Sequence, residues 1–390
     1  MKLNWFIVLV FFYDALVFLL LPSTATFILA SDGSTARYVV NLSALGIGLS
    51  VLCKSGFQPL KNQWFAWLVI FMVFSAAHSP DIRIESTFIP KDSGLFNFKP
   101  MFESLVFLLM LCGVQSININ IEKVFKTIVG IACIYSLYII IQSFGLDQIY
   151  HIVGDRNTLS RNPELGGFIS QPVFAGIFLA MCLPFAVKLK KYWFVALIIV
   201  GICATQNRTA MIAGVIGCLA MLIKKEHVYI LVGTYILAIV VSFILNTCGI
   251  SPILHDTGRF GTWGMILADI AKPLFPGVDK FNILTGQGIG SFSVLYPFYH
   301  NSGWLQAHNE FLEIFYGLSF VGLGLLILAI SKALDGIRSN VIFAALIVIT
   351  VASFTNAVWH IAQLQFMTVL LAGLGLNAPL NQGDEYGRTA

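Results

Sequence analysis

Apolar residues in this chain run in continuous stretches rather than in the one-sided patterns of elements that lie at a water interface. The stretches fall near 5–22, 38–53, 63–78, 101–115, 127–144, 168–187, 192–206, 209–223, 228–246, 311–330, 341–354 and 358–376. A helix needs roughly 20 mostly apolar residues to cross a hydrocarbon layer, and most of these runs approach that length. None alternates with the period of two that marks an outer-membrane barrel strand. The pattern therefore predicts an all-α, polytopic membrane protein with about twelve transmembrane helices. The runs 192–206 and 209–223 are parted only around Gln206, Asn207 and Arg208, which predicts a tight hairpin. The first run lacks a small-residue cleavage site with a proper polar sequel and reads as a retained span.

Composition strengthens this reading. Of 390 residues, 57% are hydrophobic and 11% charged, and the mean hydropathy is +0.84. A soluble domain carries roughly a quarter charged residues. The composition excludes a soluble enzyme, a nucleic-acid module and a disordered chain. The net charge of +4 says little as a total, but its distribution gives an orientation. Eleven of the fifteen lysines fall in one set of short connections or at Lys2, with pairs and clusters such as Lys54 and Lys61, Lys123 and Lys126, and Lys188, Lys190 and Lys191. By the positive-inside tendency that side is cytoplasmic, and both termini lie on it. Long outer connections follow at about 79–100, 145–167 and 247–308. The last is too long for a mere connector and reads as an extracytoplasmic cap. Residues 1–376 form a single transmembrane domain on this reading, and 377–390 form a polar cytoplasmic tail.

The polar chemistry concentrates on one face. Asp14 is the only carboxylate well inside an apolar stretch, where it couples to an ion, bonds a neighbouring helix or is kept neutral. Six of the seven cysteines fall in or beside apolar runs, where a thiol behaves as a small hydrophobe. Cys248 has no loop partner, so a disulfide framework has no support. No Cys-x-x-Cys or His-x-x-x-His spacing points to a metal. Six of seven histidines map to the outer side, and for most of them a solvated surface position suffices. His308 differs. In Gln306-Ala307-His308-Asn309-Glu310-Phe311-Leu312-Glu313, Asn309 suits a helix N-cap, and Glu310 and Glu313 suit the first turn. His308 has no such structural explanation, and an imidazole there is placed to take a proton from a hydroxyl. Arg208, Arg259, Arg156 and Arg161 also lie outside. Snorkelling explains a lone arginine, and it is favoured for Arg156. Arg208 has no long loop to escape into, and two guanidinium forks at the interface can hold a diphosphate without a metal. The run Gly286-Gln287-Gly288-Ile289-Gly290 lacks the βαβ context of a dinucleotide loop and reads as a flexible or closely packed turn.

Taken in order, these pieces resemble the O-antigen ligase and polymerase superfamily of bacterial inner-membrane proteins. The resemblance covers 161–330. It rests on Arg161 through Pro184 with Gly167-Phe168 and Gln171-Pro172, on Asn207-Arg208-Thr209-Ala210, and on Gly258-Arg259 with Trp263. Gly286-x-Gly288-x-Gly290-x-Phe292 and His308-Asn309-x-x-Leu312-Glu313 follow, ending in Gly317 and Val321-Gly322. Tyr316 stands where the family usually has an acidic residue. The first 150 residues add only a matching topology.

The resemblance implies an inverting, metal-independent glycosyl transfer at the outer face of the inner membrane, with no cofactor. The donor would be a glycan on undecaprenyl diphosphate. Arg208 and Arg259, with Arg161 as a weaker third, would hold the diphosphate, and His308 would deprotonate the acceptor hydroxyl. A ligase acting on lipid A–core is the leading expectation. A polymerase acting on a lipid-linked repeat uses the same groups and is the alternative. A lipid-linked-glycan flippase or other transporter is the rival from another class, but it would want polar groups through the spans.

Overall fold

A computed structural model describes residues 3–20, 34–55, 63–78, 94–115, 120–146, 172–249, 259–271, 286–288, 291–292 and 307–377. Over these the chain is all-helical. Its helices are α1 Leu3–Leu20, α2 Ser34–Ser55, α3 Gln63–His78, α4 Gly94–Val114, α5 Ile121–Ser143, α6 Pro172–Lys188 and α7 Tyr192–Ala204. They continue as α8 Arg208–Ala220, α9 Lys225–Thr247, α10 Arg259–Ala271, α11 Glu310–Gly336, α12 Asn340–Ser353 and α13 Ala362–Asn377. Each of the twelve apolar stretches overlaps a helix. Three of the helices, α5, α9 and α11, are long and apolar enough to cross a membrane.

The helices depart from the pattern expected from sequence at two places close to the candidate site. The segment 259–271 is a helix, α10, inside what reads from sequence as a loop, and Arg259 is its first residue. The apolar run 358–376 does not form one helix. It opens with a single 3-10 turn, Val358–His360, and α13 begins only at Ala362. Asp14 lies in α1, but its side chain falls outside the described residues, as do Arg156, Arg161 and the tail 378–390.

The helices are apolar all round rather than striped, so packing and not a hydrophobic face distinguishes the central ones from the peripheral ones. In α6 every residue from Phe174 to Ala186 is buried, and α12 is buried along nearly its whole length. These two helices form the centre, with α5, α7 and α8 packed around α6. A helix that is apolar all round has to be either a core helix or one that faces lipid. The peripheral helix α9 is not a core helix: it buries only Val228, Val232, Ile239 and Ser242 and exposes Ile230, Leu237, Val240 and Ile244. Close approach of α8 to α12 requires Gly217, because a Cβ there would run into Val348.

Polar groups inside the bundle are tied to backbone. The Tyr135 hydroxyl on α5 donates to the Phe11 carbonyl of α1 at 2.6 Å, beneath a cluster of Phe11, Tyr135 and Phe178. At the opposite end from the candidate site, Lys225 at the start of α9 donates to the carbonyls of Leu334 at 3.0 Å and Ile337 at 2.7 Å. Tyr229 adds a hydrogen bond of 2.9 Å to the Asp335 carboxylate. The last carbonyls of a helix have no partner within it, and here a neighbouring helix supplies one. Lys225→Met is therefore expected to destabilise the fold by about 1–3 kcal/mol. Thermal unfolding of the detergent-solubilised variant checks this, and Tyr229→Phe is expected to cost less.

Candidate functional site

The short connection 354–361 between α12 and α13 is where the polar residues of the sequence motifs meet. Three helices present their first turns to it. From α8, the Thr209 hydroxyl lies 3.1 Å from that of Thr355. From α10, Arg259 Nη1 donates to the Thr355 carbonyl at 2.7 Å. From α11, Glu310 Oε1 accepts from the Trp359 backbone N–H, and Glu313 Oε1 lies 2.6 Å from His360 Nε2. Tyr235 on α9 lies near enough for the Thr355 and Thr209 side chains to act on its hydroxyl. Helix N-termini carry unpaired N–H groups and a partial positive charge, so a convergence of such ends favours anions.

Each of these helix starts is set by local sequence. Asn207 caps α8: its side-chain oxygen accepts from Ala210 N at 3.2 Å while its amide donates to the Val173 carbonyl of α6 at 2.8 Å. The cap fixes Arg208 as the first residue of α8, where it is exposed, one residue before Thr209. Asn309 caps α11 by accepting from Leu312 N at 3.0 Å, as its position predicts. On α10 the buried positions Phe260, Trp263 and Ile266 recur every three residues, and Phe260 and Trp263 pack with Phe243 of α9. That face orients the half-buried Arg259 towards Thr355.

His308 stands at the junction. Its φ is 51°, a left-handed conformation uncommon outside glycine. The peptide before it is held from both sides: Trp263 Nε1 donates to the Ala307 carbonyl at 2.8 Å, and Ala307 N donates to Glu313 Oε2 at 3.2 Å. Strained residues held by their surroundings cluster at functional sites. Burial pushes the His308 imidazole down to about 4, and the charge of Arg259 pushes in the same direction. His360 adds to that depression and Glu313 opposes it. The ring is therefore neutral near pH 7 and has an electron pair to offer.

The glycine run also has a defined task. Helix α11 is broken at Ser319, whose φ is 59° and ψ −165°, which leaves carbonyls of the preceding turn without helical donors. Gln287 N donates to the Tyr316 carbonyl at 3.2 Å and Gly288 N to that of Gly317 at 2.8 Å. Ser75 of α3 reaches the Gly317 carbonyl at 3.5 Å. Gly286 has φ 73°, and a Cβ there would run into the Gly317 carbonyl. Of the two readings left open by sequence, the closely packed turn is the one observed at 286–288.

The structure thus brings Arg259, His308, Asn309 and Glu313 together and sets Arg208 one residue from the Thr209–Thr355 contact. Arg161 lies outside the described residues. Sequence reasoning passed over Glu310, Thr355 and His360 as partners. Among the described residues no group of three His, Cys, Asp or Glu side chains is placed to hold a metal ion. No protein-family model and no curated protein matches the chain.

The depressed His308 titration has a consequence for stability. With the folded value near 4 and the ordinary value 6.5, the unfolded chain binds the proton first as pH falls. Stability from this group is complete above about 6.5, is lost as pH drops towards 4, and changes no further below that. Detergent-phase melting curves across this range are expected to show a shallower acid decline for His308→Gln than for the parent chain.

Proposed function

We propose that this chain is a polytopic inner-membrane glycosyltransferase of about twelve spans. On this reading both termini are cytoplasmic, the site faces the periplasm, and the enzyme uses a glycan linked to undecaprenyl diphosphate. The large apolar side chains left exposed on the helices, among them Trp67, Ile70, Phe74, Trp193 and Leu237, support the membrane assignment. The observation that carries the functional reading is the meeting of three helix starts, Arg259 and a neutral, strained histidine at the 354–361 connection.

The chemistry follows from those groups. The diphosphate lies against Arg208 and Arg259, whose guanidinium groups keep their charge at any working pH. His308 takes the acceptor hydroxyl's proton as the oxygen attacks the anomeric carbon from the face opposite the leaving group. The bond from that carbon to the phosphate oxygen breaks with its electron pair, and the arginines stabilise the diphosphate that departs. The configuration at the anomeric carbon inverts. None of these steps calls on a metal or a cofactor. A ligase that passes the glycan to lipid A–core is the first reading. A polymerase that passes it to the next lipid-linked repeat uses the same groups.

Purified protein, donor glycan extracted from a deletion strain, and an acceptor extract are expected to give product in the presence of chelator and without nucleotide. His308→Ala is expected to lower the rate by about 100-fold or more, the usual weight of a general base. Arg259→Ala is expected to lose a comparable factor. Full product formation by either variant contradicts the mechanism. The gel pattern of lipopolysaccharide from the deletion strain separates the acceptors: absence of all capped polymer marks a ligase, and a core bearing a single repeat marks a polymerase.

A further inference from the structure

His308 is well placed to receive a proton and poorly placed to keep one. Burial and the neighbouring Arg259 both disfavour a charged imidazole at that position. A base that serves repeated turnovers has to pass its proton on. The second histidine at the site, His360, has the complementary surroundings. Its Nε2 is 2.6 Å from Glu313 Oε1, and a carboxylate at that distance stabilises the imidazolium. The His360 side chain is 30% exposed, against 11% for Glu313, so His360 meets the surroundings while its partner is shielded. The two histidines are also joined mechanically. Glu313 grips His360 with one oxygen and, with the other, the Ala307 N–H immediately before His308. His308 feels the charges of both His360 and Glu313. Among the described residues, the titratable and charged groups that share this cluster with His360 include Glu310 and Glu313 of α11, His308 ahead of that helix, and Arg259 of α10, whose charge acts on His308.

We propose that His360, oriented by Glu313, is the proton-exporting residue of this site: it receives the acceptor proton from His308 and releases it to water at the outer surface. This inference rests on the glycosyl-transfer reading. In balance, the acceptor O–H bond breaks and its electron pair goes into the new bond to the anomeric carbon, while the proton goes to His308. The proton then moves from His308 to His360, which returns His308 to the neutral state before the next acceptor arrives. Water takes the proton from His360 and resets the pair. The shared carboxylate is what makes two histidines one device. A carboxylate that merely braced α11 against the 358–360 turn would need no ionisable partner.

The test uses the full chain in nanodiscs, the undecaprenyl-diphosphate-linked glycan accumulated by a deletion strain, and undecaprenyl diphosphate alone as a binding probe. His360→Gln is expected to bind undecaprenyl diphosphate within about twofold of the parent chain, yet to lose about 100-fold in kcat. Added imidazole, a small mobile base, is expected to restore at least about tenfold of that loss. Glu313→Gln keeps the shape of the carboxylate and removes its charge, so the acid limb of its kcat profile is expected to move to lower pH. The inference is overturned by a His360→Gln protein that turns over at the parent rate, or by a loss of rate that imidazole does not relieve. Absence of transfer by the parent chain overturns the glycosyl-transfer reading itself and this role with it. An unchanged variant beside an active parent overturns this role alone.

Discussion

The grip of two carboxylates on one short turn organises one end of this helical bundle. Glu310 is 3% exposed, and a buried carboxylate is tolerated only with partners close by. It finds the Trp359 N–H, and one helical turn later Glu313 finds His360 and the Ala307 N–H. Each of these contacts joins parts of the chain that are apolar and could otherwise pack in several registers. Because apolar packing is non-directional, the polar contacts choose which turn of α11 meets the 358–360 turn. Phe311 stacked on Phe354 at 4.1 Å then fills the gap between them.

Everything at the candidate site is hung on that junction. The turn positions Thr355, Thr355 holds Arg259 and meets Thr209 in the first turn of α8, and Glu313 with Trp263 fixes the backbone before His308. The break in α11 at Ser319 belongs to the same logic. It releases carbonyls that the glycine segment 286–288 covers, which ties a piece of the 247–308 connection to the helix that carries Glu310 and Glu313. Irregular backbone among apolar helices survives only where its polar groups are satisfied.

Much of the fold was legible because the apolar runs are long and their ends carry strong signals. Every run carries a helix, and Asn309 caps α11 as its sequence context predicts. The site was legible in its motif residues and illegible in its partners. Glu313 has a sufficient local explanation as a first-turn acid, which concealed its bond to a histidine 47 positions away. Thr355 sits in an apolar connection with nothing to mark it, and its arginine lies 96 positions earlier. Helix α10 is not legible in the sequence because 259–271 is short and holds two glycines, and only its packing against Phe243 shows what its aromatic positions are for. Long-range polar pairing leaves no periodicity, so pattern reasoning passes over it.

The most direct measurement is a cryo-electron microscopy map of the full chain in nanodiscs with undecaprenyl diphosphate bound. The account predicts diphosphate density against Arg208 and Arg259, beside the Thr355 turn, with His308 facing the bond that would carry the glycan. Diphosphate density on another face of the bundle, with those arginines in contact only with protein, would contradict it.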